Sequence, residues 1–175
     1  MRILFCSSEA YPFSKSGGLA DMASALPKIM NQLGEFTAVI TPLYDSIYAK
    51  LNTFKYIGER DIKIADEHFK AKYYETIHDG VTYIFVENEL FFKRANYYGY
   101  YDDDKRFLFY DFAVLEYIEL IQKPFDLLHI NDWQTGLIPY LLDEIYRQKE
   151  LYRTVKTLLT IHNLEYQGSF PKDAY

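Results

Sequence analysis

Residues 2–42 read RILFCSSEAYPFSKSGGLADMASALPKIMNQLGEFTAVITP, and this opening sets the fold class. Arg2-Ile3-Leu4-Phe5-Cys6 is a short apolar run closed by the polar Ser7, Ser8 and Glu9, the pattern of a buried strand. A loop with Pro12, Lys15 and the pair Gly17-Gly18 follows. Leu19, Met22, Ala23, Leu26, Ile29, Met30 and Leu33 then recur at helical spacing, with Asp21, Ser24 and Lys28 opposite. The spacing predicts a helix with one apolar stripe through these residues, kinked at Pro27 and capped by Gly34. Phe36 to Thr41 is a second apolar strand, stopped by Pro42. Two apolar strands joined by an amphipathic helix make a βαβ unit, and such units build parallel sheets.

The rest of the chain extends this pattern. Lys70–His78, the dipeptide Asp79-Gly80 and Val81–Val86 predict a β-hairpin with a tight turn, inserted as an antiparallel elaboration. Asp102 to Asp104 open a helix where carboxylates suit the dipole, and they read as a solvated face. Its apolar face runs through Phe107, Phe112, Leu115, Ile118 and Ile121, and Pro124 lies beyond its end. Phe125–Ile130 is a strand, Leu137–Gln148 a helix and Val155–Ile161 a further strand. The expected class is α/β: an open, doubly wound, mostly parallel sheet with an inserted β-hairpin. Ligands on such sheets bind at the carboxyl ends of the strands.

Composition narrows the function classes. The 175 residues are 49% apolar and 25% charged, the balance of a folded domain. One cysteine excludes a disulfide framework within the chain and fits a reducing, cytoplasmic setting. The net charge of −6 argues against nucleic-acid and anionic-membrane binding. No signal peptide opens the chain, and no apolar run approaches the roughly 20 residues of a membrane span. Aromatic residues reach 18%, with 18 Tyr and 13 Phe. That excess fits a carbohydrate or base stacking surface as well as a mere compositional habit.

Polar groups concentrate at three strand exits. The first carries Ser7, Ser8, Glu9 and Lys15-Ser16-Gly17-Gly18; the second Asn131, Asp132, Trp133, Gln134 and Thr135; the third His162, Asn163, Glu165, Tyr166, Gln167 and Gly168. All three belong on one edge of a parallel sheet, which points to a ligand crevice. Adjacent glycines before a helix let backbone N–H groups approach a ligand, and a lysine beside them neutralises phosphate charge. The loop is neither a P-loop nor a G-x-G-x-x-G fingerprint. On spacing alone, a simple turn with a solvated Lys15 is an equal reading. Asp21 has the alternative of a first-turn acid, and Asp132 that of a helix cap. His129, inside a strand, reads as a core histidine, and His162 at the exit is the better functional candidate. The four histidines and Cys6 lack metal-ligand spacing, so no metal site is expected; Cys6 reads as core.

Together these segments resemble bacterial glycogen synthases and plant starch synthases. Lys15-Ser16-Gly17-Gly18-Leu19-Ala20-Asp21 with Ala25-Leu26-Pro27 is similar to the family's K-x-G-G-L-A-D loop and A-L-P helix. His129-Ile130-Asn131-Asp132-Trp133-Gln134-Thr135-Gly136-Leu137 resembles H-x-H-D-W-Q-x-G-L. Thr160 to Gly168 resembles T-x-H-N-x-x-Y-Q-G, and Tyr98-Gly99 with Asp103, Arg106 and Phe107 resembles a looser family stretch. The resemblance spans essentially the whole chain in order. It implies residues 1–175 as the N-terminal Rossmann-like catalytic domain of a GT-B glycosyltransferase, cut short before the C-terminal nucleotide-binding half. The implied reaction is transfer of glucose from ADP-glucose to the non-reducing end of an α-1,4-glucan such as glycogen, with retention and no metal or cofactor.

By that resemblance His162, Asp132 and Asp21 are the catalytic candidates, and Lys15, Gly17, Gly18, Glu9, Tyr98 and Asn163 the substrate-binding ones. Lys15 would stabilise the diphosphate as it leaves. Glu9, Asp21, Tyr98, Asp132 and His162 would line the glucosyl and acceptor side. The family's second histidine in H-x-H-D-W is Asn131 here, which hydrogen-bonds but does not titrate near neutral pH, so positioning is expected there. The expected partners are ADP-glucose, the glucan and the C-terminal half; without that half no transfer is expected. A non-catalytic glucan-binding module is the second reading, and an NAD-dependent oxidoreductase lacks its glycine fingerprint.

Overall fold

The structure is a computed structural model and describes residues 1–170. Its elements are β1 (Arg2–Cys6), α1 (Gly18–Gln32), β2 (Phe36–Pro42), a turn of helix α2 (Asp45–Tyr48), β3 (Lys55–Ile64), β4 (Glu67–His78) and β5 (Val81–Glu87). There follow α3 (Glu89–Phe92), α4 (Asp103–Ile121), β6 (Leu127–Asn131), α5 (Ile138–Leu141), which runs into a π-helical turn at Leu142–Tyr146, and β7 (Lys156–Thr160). They form one seven-stranded sheet in the order β3-β4-β5-β2-β1-β6-β7. The β5-β2-β1-β6-β7 part is parallel throughout, and only the β3-β4 and β4-β5 pairs are antiparallel.

The expected α/β class with a mostly parallel sheet is therefore what forms. The chain moves from β1 to β2 on one side and from β6 to β7 on the other. The direction of winding reverses between β1 and β6, and right-handed crossovers open a crevice at their carboxyl ends. This places the first and second polar exits side by side.

Three expectations change. The hairpin at Asp79-Gly80 forms, but its second strand, β5, is the parallel neighbour of β2 and so part of the main sheet. An additional strand, β3, pairs with β4 through a bulge at Tyr56/Gly58. The third change is in α1, whose buried positions are Leu19, Ala20, Ala23 and Pro27, while Met22, Ile29 and Leu33 face outward. Small side chains let the helix lie close to β2 and β5, so residue size overrides the hydrophobic stripe. Gly34 does end the helix, with φ +91°.

The core is continuous and strongly aromatic. Tyr44, Tyr73, Tyr110 and Tyr152 are fully buried, and each donates its hydroxyl to a main-chain carbonyl: Ser8, Ala113, Ile40 and Leu115 respectively. Much of the tyrosine excess is thus core material with satisfied polar tips.

Candidate active site

The first exit is clamped before it reaches the surface. Tyr44 donates to the Ser8 carbonyl (2.9 Å), and Tyr110 donates to the carbonyls of Ser7 (3.1 Å) and Ile40 (2.7 Å). Glu9 is buried and turned inward. Its carboxylate accepts the Ser16 N–H, the Ser16 hydroxyl (2.7 Å) and the Tyr98 hydroxyl (2.7 Å). Glu9 thereby ties the Lys15–Gly18 loop to the loop before α4. The Tyr98 hydroxyl also meets Ser8 Oγ (2.8 Å), and burial with Tyr44 and Glu9 nearby pushes that phenol well above its ordinary value.

Gly17 and Gly18 sit where the loop becomes α1 and face open space. A Cβ added at either would meet nothing within 4 Å, and Gly17 has an extended backbone (φ −149°, ψ −162°). Neither the backbone angles nor packing requires glycine there, so clearance toward the crevice is the remaining physical reason for it. The Lys15 ammonium lies 2.7 and 2.8 Å from the two Asp21 carboxylate oxygens, and 5.7 Å from the centre of the Tyr11 ring. Both side chains of this pair are about half exposed.

The second and third exits are joined to each other. Asp132 has φ +60° and ψ −175°, a region that costs a non-glycine residue about 1–3 kcal/mol and is common at functional sites. Its N–H is held by the Thr160 carbonyl (2.9 Å), and its Oδ1 accepts the His162 N–H (2.6 Å). The His162 ring meets Asn131 Oδ1 through Nε2 at 2.9 Å. His129 is a buried core histidine, bonded through Nε2 to Thr160 Oγ1 (2.8 Å) and edge-on to Phe5; burial, then His162, holds its pKa low. Trp133 packs edge-on against Phe107 and Phe170. Gly168 passes so close that a Cβ there would lie 2.7 Å from the indole, at φ +63°, so only glycine fits.

These segments enclose a cleft of about 940 Å³. Its walls include Glu9, Gly17, Gly18, Tyr98, Asp132, His162 and Asn163 of the expected residues, and also Asp103, Trp133 and Gln134. Lys15 and Asp21 are not among the lining groups and form a pair on the adjoining loop and helix. Thus the structure brings the three exits together, and Glu9, while it borders the cleft, also braces the Lys15 loop against Tyr98.

Asp103 corrects the expectation of a solvated acidic face. It is buried, accepts the N–H groups of Gly99 (2.7 Å) and Tyr100 (3.2 Å), and pairs with the fully buried Arg106. Arg106 also donates to the carbonyls of Phe91 (2.7 Å) and Tyr97 (3.3 Å). Asp102 is likewise engaged, with Arg94 as a bidentate partner at 2.6 and 2.8 Å that holds its carboxyl below the usual range. Together these ion pairs fix the Tyr97–Tyr100 loop that carries one cleft wall. The sequence signals for it are the i,i+3 spacing of Asp103 and Arg106 and their place in the looser family stretch with Tyr98-Gly99.

The family described as the starch synthase catalytic domain matches residues 2–175. The glycogen synthase of Acholeplasma laidlawii is 51% identical over 174 residues, covering 99% of this chain and 36% of that protein. The glycogen synthase of Geobacillus stearothermophilus is 43% identical over 173 residues, covering 98% of this chain and 36% of that protein. The catalytic domain of starch synthase IV from Arabidopsis thaliana, bound to ADP and acarbose, superposes with a TM-score of 0.80 at 28% identity, over 95% of this chain and 35% of that one. The chain therefore spans about a third of the length of these relatives.

Proposed function

Because the chain belongs to the starch synthase catalytic domain family, we propose that it forms the N-terminal wall of the active-site cleft of a glucosyltransferase. The reaction proposed is transfer of glucose from ADP-glucose to the non-reducing end of an α-1,4-glucan, with retention of configuration. The observation that carries this reading is the convergence of the three motif-bearing loops on one cleft of about 940 Å³. The ADP and acarbose held by the starch synthase IV neighbour support a nucleotide donor and a glucan-like acceptor.

In this reading the open face at Gly17-Gly18 admits the diphosphate to the first turn of α1, whose N–H groups favour an anion. Lys15 turns from Asp21 toward that charge as the bond to glucose breaks, which stabilises the leaving group where charge develops. Asp21 is then the counter-ion that holds Lys15 in place before the donor arrives. Asp132, His162 and Asn163 line the sugar side, and Tyr98, braced by Glu9, shapes the opposite wall. The remaining nucleotide contacts come from the portion of the family's length outside this chain. By themselves residues 1–175 are expected to show no glucosyl transfer and at best weak ADP-glucose binding.

The test uses a protein carrying these residues together with the remaining length of the relatives. Lys15→Ala is expected to lower transfer from ADP-glucose to glycogen by about 10²–10³-fold, the usual loss for one electrostatic stabiliser, and to leave glucan binding intact. Undiminished transfer, or transfer by residues 1–175 alone, would overturn the reading.

A further inference from the structure

Asn131 is the last residue of β6 and is completely buried. Its side-chain amide donates both hydrogens, to the carbonyls of Cys6 and His129, each at 3.0 Å. Turning the amide over would set its oxygen against two carbonyl oxygens, so its orientation is decided by its surroundings. The backbone around it is equally constrained, since the Asn131 N–H meets Thr135 Oγ1 at 2.7 Å and that hydroxyl donates to the Asn131 carbonyl at 2.9 Å. Among the described residues Asn131 Oδ1 is left with one partner, His162 Nε2, at 2.9 Å. An amide oxygen only accepts, so His162 Nε2 must carry a proton. The main-chain N–H of His162 is held by Asp132 Oδ1, so two consecutive residues grip the histidine by backbone and ring.

We infer that Asn131 is a positioning residue that fixes the His162 proton on Nε2 and thereby makes Nδ1 the hydrogen-bond acceptor this ring offers in the cleft. A neutral His162 then receives a hydroxyl donor, and protonation of the ring converts the same Nδ1 atom into a donor. The tautomer rests on geometry alone; its use toward a sugar hydroxyl rests on the glucosyltransferase reading. With a second imidazole at position 131, as in the H-x-H-D-W pattern, either ring could donate to the other. The amide removes that second proton arrangement.

The decisive measurement is 15N NMR of the histidine-labelled protein, with ring nitrogens correlated to their carbon-bound protons. The chain has four histidines, and His162→Gln removes one signal set and so assigns it. The neutral ring is expected to show a protonated Nε2, a bare Nδ1, and an Nε2–H proton visible in water because its hydrogen bond slows exchange. Free histidine also favours the proton on Nε2, so the protected proton is the sharper readout. Asn131→Leu should speed its exchange about tenfold, the effect of losing one hydrogen bond, with the His129 signals unchanged. A neutral His162 bearing its proton on Nδ1, or an Nε2–H exchange rate unaltered in a folded Asn131→Leu, would sink the inference. The tautomer is read from the unsubstituted protein, so the test survives if Asn131→Leu does not fold. Loss of transfer activity bears on the proposed function and not on this proton.

Discussion

Single residues at the cleft divide into those that the fold requires and those that it tolerates. Gly17 and Gly18 have room for a Cβ and no left-handed backbone, so Gly17→Ala and Gly18→Ala should leave the melting temperature unchanged or slightly raised. If the proposed function holds, the same substitutions in a protein that also carries the remaining length of the relatives should weaken ADP-glucose binding at least about tenfold by crowding the diphosphate. Calorimetry and donor titration together check the split; a fall in stability with intact binding would mean the glycines serve the turn. Asp111 shows the opposite case. It is fully buried in α4, its Oδ2 accepts the Leu137 N–H at 3.0 Å, and its Oδ1 has no partner among the described residues. Burial pushes its carboxyl well above the usual carboxylate range. A raised folded-state value means stability that is complete below the unfolded-state value and lost as pH rises toward the folded one. Asp111→Asn keeps the acceptor and cannot ionise. It should therefore melt higher than the parent at neutral pH, and the gap should close below about pH 4, the ordinary Asp value. A gap that does not change with pH would refute this account.

At the scale of elements, two ion pairs hold the loop between α3 and α4, and that of Asp103 with Arg106 is the more deeply buried. Arg106→Met removes the partner of Asp103 and the donors to Phe91 and Tyr97. Breaking such a pair from one side costs about 3–5 kcal/mol, and chemical denaturation should register a loss of that order. The loss should be accompanied by faster proteolysis within residues 94–101; a variant as stable as the parent would show that the pair is dispensable. β1, α1, β2 and β6 stand out because apolar runs end abruptly in polar residues, where a parallel strand leaves the sheet. β3 did not stand out, because Lys55, Glu59, Arg60, Asp61 and Lys63 interrupt it and only one of its positions is buried. The expected stripe of α1 holds at Leu19 and Ala23, but close packing also buries Ala20 and Pro27 and leaves the larger Met22 and Ile29 outside. The carboxylates of Asp102 to Asp104 read as a solvated face because nothing local reveals that the chain around residues 91–100 folds over Asp103.

For the molecule as a whole, the two sides of the sheet end differently. On the β3 side the sheet closes with a charged antiparallel strand, which discourages further pairing. On the other, β7 pairs only with β6 among the described residues, and Leu158, Leu159, Ile161 and Leu164 are exposed. By themselves residues 1–175 should therefore self-associate through this edge as concentration rises. Sedimentation velocity checks this, and a monodisperse monomer at high concentration would count against it. No helix among the described residues is long and apolar enough to cross a membrane. The amino-acid sequence by itself determined the βαβ order, the common edge for three polar exits and the family, because strand periodicity and short motifs are local properties. Tertiary structure alone decided that Glu9 braces the Lys15 loop, that Asp103 is buried, that the tyrosines build the core, and that Asn131 grips His162. Each of these joins residues far apart in the chain or hidden by burial, and their partners exist only once packing has excluded water.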